Sequence, residues 1–117
     1  MADYQIWISG AYRYGVIGYG IVIQPGHIQI TGTCRGSSIL EAERIAVRTA
    51  FAQIPAQTSC VVYSNFPPMI AWLRGLMGAD VPVQSLQAEI ADLRDTYQRE
   101  AQHLSDLGCM TSAPSKL

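Results

Sequence analysis

One stretch limits the folds open to this chain more than any other. From about Ser38 to Ile54 the residues follow a helical period, with Leu40, Ala46, Val47, Ala50 and Ile54 on one side. The start is marked twice. Ser38 can cap the helix, and Glu41 three residues later completes a Ser-x-x-Glu capping box. Strand-like stretches lie on both sides of it. Strand, long helix, strand is a crossover unit, so the strand that follows, Ser59 to Ser64, should pair in parallel and be buried on both faces. The helix also carries a misfit. At about 100° per residue Glu43 falls in the middle of the apolar stripe, while Glu41 points away. A buried carboxylate is unfavourable unless something satisfies it. Glu43 is therefore the first candidate functional residue.

Upstream of that helix, Tyr4 to Ser9 is rich in aromatic and β-branched residues and reads as a strand ended by Gly10. The glycine- and tyrosine-rich run from Gly10 to Gly20 has no GKS or GKT and no helix after it. It is a tight connection into the next strand and not a phosphate-binding loop. Ile21 to Gln24 and His27 to Thr33 are two strands joined by Pro25-Gly26, a pair that suits a type II turn. The first thirty-odd residues thus predict a three-stranded antiparallel meander.

Downstream, Asn65-Phe66-Pro67-Pro68 opens a second helix, with Asn65 as its expected cap, and Gly78 closes it. Val81-Pro82-Val83 links to the last element. From about 85 to 107, Leu86, Ile90, Leu93, Tyr97, Leu104 and Leu107 recur at spacings of four and three. That pattern predicts one long helix, either docked on the sheet or pairing with a second copy. The expectation is a single domain over 1–108 and a flexible Ser-, Thr- and Pro-containing tail over 109–117.

Composition bounds the function. With 117 residues, 49% hydrophobic and 15% charged, the chain is globular and long enough for one core. No apolar run approaches the ~18 residues of a membrane helix, and Met1-Ala2-Asp3 lacks the basic start of a secretion signal, so no membrane contact and a cytoplasmic location are expected. Cys34, Cys60 and Cys109 have no metal-ligand spacing and read as buried reduced thiols; His27 and His103 read as surface residues. Net charge is −1 and the sole lysine is Lys116. Non-specific nucleic-acid binding leans on clustered positive charge. A folded patch of Arg13, Arg35, Arg44 and Arg48 is the candidate contact surface for a nucleic acid or another partner.

The order of elements, and several motifs within it, resemble the ribonuclease H family. Ile6-Trp7-Ile8-Ser9-Gly10-Ala11 is similar to its first strand, where apolar residues lead to Asp-Gly-Ser or Asp-Gly-Ala. Gly18-Tyr19-Gly20-Ile21-Val22-Ile23 resembles its second strand, and Glu43 with Ala46 and Ala50 its Glu-x-x-Ala-x-x-x-Ala helix. Val61-Val62-Tyr63-Ser64-Asn65 resembles its fourth strand, which ends in Thr-Asp-Ser or Ser-Asp-Ser. Arg99-Glu100-Ala101-Gln102-His103-Leu104-Ser105 is similar to its closing helix. The resemblance implies an α/β fold of the mixed-sheet, α+β kind: three antiparallel strands, a crossover helix, a parallel fourth strand and C-terminal helices. Sheet order 3-2-1-4 follows. The fifth strand of the family is expected to be missing here.

The resemblance also implies a site. In that family four carboxylates hold two divalent metals, one to generate the attacking hydroxide and one to stabilise the leaving oxygen. The matching positions here are Ser9, Glu43, Asn65 and Gln102, and Glu43 alone keeps its charge. A metal site, and with it catalysis, is not expected. The expected function is a non-catalytic module that binds a protein or a nucleic acid and self-associates through Leu86, Ile90, Leu93, Tyr97 and Leu104. The alternative is a divergent nuclease cutting RNA in RNA/DNA hybrids, which would need Mg²⁺ or Mn²⁺ and carboxylates from elsewhere, such as Asp3, Asp80 or Asp106.

Overall fold

The computed structural model describes residues 2–76 and 81–111. Strands β1 (Tyr4–Arg13), β2 (Val16–Gln24) and β3 (Ile28–Arg35) form the antiparallel meander. Helix α1 (Ile39–Gln53) crosses to β4 (Thr58–Ser64), which pairs in parallel with β1 from Tyr4↔Cys60 to Trp7↔Tyr63. Helix α2 (Pro67–Gly75), strand β5 (Val83–Ile90) and helix α3 (Thr96–Thr111) complete the chain. The sheet order is β3-β2-β1-β4-β5, so the expected 3-2-1-4 order holds and a fifth strand is added.

Local chemistry explains the elements. The β1–β2 hairpin turns on Tyr14 and Gly15, both with positive φ (51° and 78°), as a two-residue hairpin turn of the right twist requires. The expected connection from Gly10 is thereby absorbed into two long strands. At the β2–β3 turn the Gln24–Pro25 peptide is cis, and Gly26 and His27 both have positive φ. Ser38 accepts the amide of Glu41 as the N-cap. Glu41 reaches back one residue further than a simple capping box, to the amide of Ser37 at 2.9 Å. Asn65 does not cap α2: the N-cap is Phe66, with no side-chain cap bond.

The sheet has a core on each face. On one, Ile6, Ile8, Ile21, Ile23 and Val62 pack with Ala46, Val47 and Ala50 of α1 and with Ile70 and Leu73 of α2. Fully burying such a side chain contributes about 1.5–3 kcal/mol. On the other, Trp7, Val22 and Ala101 of α3 pack with Tyr63, Tyr97 and Leu104. Because α1 and α3 cover opposite faces, Ile6 to Gly10 is buried without alternation. Helix α3 lies very close to β2. A Cβ at Gly18 or Gly20 would strike its backbone at Ala101, Ser105 or Cys109.

The long C-terminal helix is the chief correction. Residues 83–90 are a parallel edge strand, residues 91–95 a turn, and only Thr96 onward is helical. Leu86 packs inward from β5, Ile90 (55% exposed) and Leu93 (54%) face solvent, and Tyr97 and Leu104 pack on the chain's own Trp7. These residues therefore share no seam. Two physical reasons favour the strand. Without β5 the buried strand β4 would leave a row of backbone groups unpaired. Leu86 and Ala88 also alternate with Gln87 and Glu89, the period of a half-buried strand. The break itself is held by Asp95, whose carboxylate accepts the amides of Tyr97 and Gln98. Helix α3 continues through Thr111, past the expected end. Gly78, Asp80 and residues 112–117 lie outside the described residues. Cys60 and Cys109 are buried, but Cys34 on edge strand β3 is exposed, against expectation.

Candidate functional site

The parallel ladder between β1 and β4 stops at Trp7 and Tyr63, and the polar positions gather just beyond it. Glu43 sits there, 1% exposed. Its Oε1 accepts a hydrogen bond from Ser64 Oγ at 2.5 Å, and Ser64 Oγ in turn accepts the amide of Phe66 at 3.0 Å. Gly10 makes the room: a Cβ there would lie 3.0 Å from Glu43 Cγ and 2.9 Å from Ala42 Cβ. Burial pushes the Glu43 carboxyl up to about 7, against the lowering effect of the Ser64 hydroxyl. The partner from the fourth strand is Ser64 and not Asn65, because Cys60, Val62 and Ser64 share the α1 face of that strand.

Ser9 and Gln102 meet on the opposite face. Ser9 Oγ donates to Gln102 Oε1 at 2.9 Å, and Ser105 Oγ lies 3.2 Å from Ser9 Oγ while donating to the Gln102 carbonyl at 2.8 Å. Gln102 Nε2 donates to Asp106 at 3.2 Å. Nearby, Gln98 is fully buried and donates through Nε2 to the carbonyl of Ile8, close to where β1 and β4 part. The chain thus builds two closed polar pairs, Glu43–Ser64 and Ser9–Gln102, one on each side of the sheet.

This donor set does not fit two divalent ions. Magnesium and manganese favour several charged oxygens. Here one buried carboxyl is tied to a serine, and the other positions are two serines and a glutamine. Among the described residues no group of three or more His, Cys, Asp or Glu is arranged to hold a metal. Of the substitute carboxylates, Asp3 is bonded to Ser59 at the far end of β1 and Asp106 is exposed on α3.

The arginines do not form one patch. Arg13 and Arg35 flank Val16 in one row across the sheet. Arg44 and Arg48 belong to α1, where they line a shallow recess of about 390 Å³ with Ser37, Ser38 and Glu41. Arg44 also lies over the Trp72 ring at 4.9 Å, which joins α1 to α2. Sequence reasoning missed Ser64, Ser105 and Gln98. Ser64 was legible from its register with Val62; the other two depend on where α3 docks.

No family model matches the sequence, and a search of curated proteins finds no relative. Solved structures do match. LC11-RNase H1 in complex with an RNA/DNA hybrid superposes with a TM-score of 0.72 at 15% identity, covering 93% of this chain and 98% of the other. LC11-RNase H1 isolated from compost by a metagenomic approach gives 0.70 at 14% identity, over 95% and 98%. The fold is ribonuclease H-like. Among the described residues, no helix is long and apolar enough to cross a membrane.

Proposed function

We propose that this chain is a non-catalytic ribonuclease H-like module that acts by binding another macromolecule. The observation that carries the reading is the state of Glu43: a buried carboxyl bonded to Ser64, with neutral Ser9 and Gln102 tied to each other on the other face of the sheet. A group whose pKa stands near 7 is half protonated at neutral pH. Its protonated form is a weak ligand for a hard cation. Net charge −1 and a single lysine favour a protein surface over a nucleic-acid backbone. Self-association is not part of the proposal, since its basis was one continuous helix over 85–107.

The test is calorimetric titration with millimolar Mg²⁺ and Mn²⁺, beside a cleavage assay on an RNA/DNA hybrid, with Glu43→Gln as control. No heat and no cleavage are expected from either protein. Metal binding and cleavage that vanish in the variant would establish the second reading, a divergent metal-dependent nuclease. What favours that reading is Asp106, a carboxylate held against Gln102. The solved neighbour with a bound hybrid supplies the substrate to try.

A further inference from the structure

Helix α3 packs on β1, β2 and β3 on its face of the sheet, and beyond it Ser85, Gln87 and Glu89 of the edge strand β5 are exposed. This exposed strip continues into a groove of about 610 Å³ beside the N-terminal end of α3. Two aromatic rings line it beside Pro25 and Val61: Tyr63 and Tyr97, both packed on the buried Trp7. Tyr63 stacks on Trp7 with centroids 5.0 Å apart and planes at 19°, and Tyr97 lies against the same ring at 4.7 Å. Its charged members are both acidic, Asp3 and Glu89. Asp3 uses Oδ2 on Ser59. Glu89 is exposed and makes no ion pair among the described residues. No lysine or arginine lines the groove among the described residues, and Gln5, Gln24 and Gln87 supply amide donors and acceptors. The acidic field reaches the rings. The Tyr63 hydroxyl is pushed up first by burial and then by the charge of Glu89, with Asp95 adding to it and Gln5 opposing.

We infer that this groove is a docking surface for a basic segment of a partner protein, with an arginine or lysine side chain laid over Tyr63 and Tyr97 and paired with Glu89. Aromatic faces attract cations, arginine most often, and both rings are half-buried. Carboxylates repel phosphates, so the same surface disfavours a nucleic acid, although stacked rings alone would suit bases. The surface is on the opposite side of the sheet from Glu43 and α1. The inference rests on the binding reading above and gives that reading a partner class. Its failure is separable, because hybrid cleavage reports on Glu43 and peptide binding reports on Glu89.

The experiment is fluorescence anisotropy with the full chain. The probes are a labelled peptide of alternating arginine and serine, its glutamate–serine counterpart, and a labelled single-stranded oligonucleotide. The arginine peptide is expected to bind, less tightly at higher salt, and the glutamate peptide is not. Glu89→Lys should weaken that binding about ten-fold or more through charge reversal, and the milder Glu89→Gln should weaken it less. Arg48→Glu, on the other face, should leave it unchanged. Circular dichroism and urea midpoints confirm that the variants are folded. No binding of the arginine peptide, or equal binding by wild type and both Glu89 variants, overturns the proposal. So does oligonucleotide binding that strengthens in Glu89→Lys, which would reassign the groove to nucleic acid.

Discussion

Glu43 is the residue on which chemistry and stability meet. Unfolded, its carboxyl titrates near 4.5; folded, it holds its proton to about 7. Between those values the folded state binds more protons, so stability is full below about pH 4.5, falls as pH rises, and levels off above about 7. The loss through this one group is about 3 kcal/mol. Urea midpoints across pH 4–8 should show a decline over that window in wild type and a flatter profile in Glu43→Gln. The variant should be at least as stable as wild type at pH 8. A drop of several kcal/mol there would instead mean that Glu43 is held in an ionic network. Gly20 gives a second residue-scale test. Its missing side chain lets Ala101 and Ser105 of α3 approach β2. Gly20→Ala should cost about 1–3 kcal/mol, since the helix backbone has no room to yield, and the change should appear in the emission of Trp7.

At the scale of elements, β5 and α3 replace what the apolar spacing presents as one helix. The residues of the supposed seam now have different expected behaviour. Leu93 stands exposed in the turn, so Leu93→Asp should change stability by less than about 0.5 kcal/mol and leave the mass in light scattering unaltered. Leu104 packs against Trp7, so Leu104→Asp should cost about 2 kcal/mol or more in chemical denaturation. The break between the two elements did have a local signal. Asp95 followed three residues later by Gln98 is the pattern of a helix start, and Asp95 does accept the first amides of α3. The heptad spacing overrode it because Leu86, Ile90, Leu93 and Tyr97 satisfy a period of 3.5 and, over the first few residues, a period of two as well.

For the whole molecule, the sheet is a wall with a core on each side, and each side depends on its own helices. Trp7 and Val22 are covered by α3. A chain ending at Asp95 should therefore lose cooperative unfolding, seen as a sloping denaturation curve in place of a sigmoid. The wall also separates the polar pairs, with Glu43 and Ser64 on one side and Ser9 and Gln102 on the other. It further places the acidic aromatic groove away from α1.

The residues alone were enough for the meander, the crossover helix, the parallel fourth strand and the burial of Glu43. Each rests on local periodicity or on one polar residue within an apolar stripe, and both are properties of the chain itself. That Ser9, Glu43 and Gln102 stand where the ribonuclease H family carries carboxylates followed from the resemblance of the motifs, not from period or spacing. Only the tertiary structure decided that residues 83–90 are a strand, because an edge of β4 elsewhere in the chain needed pairing. It decided that Ser64 and not Asn65 meets Glu43, since strand register chooses which of two adjacent side chains faces a helix. It also decided that the arginines separate into pairs and that Tyr63, Tyr97 and Glu89 share one groove. Those residues come from three elements, and no spacing along a chain records which distant side chains a sheet brings together.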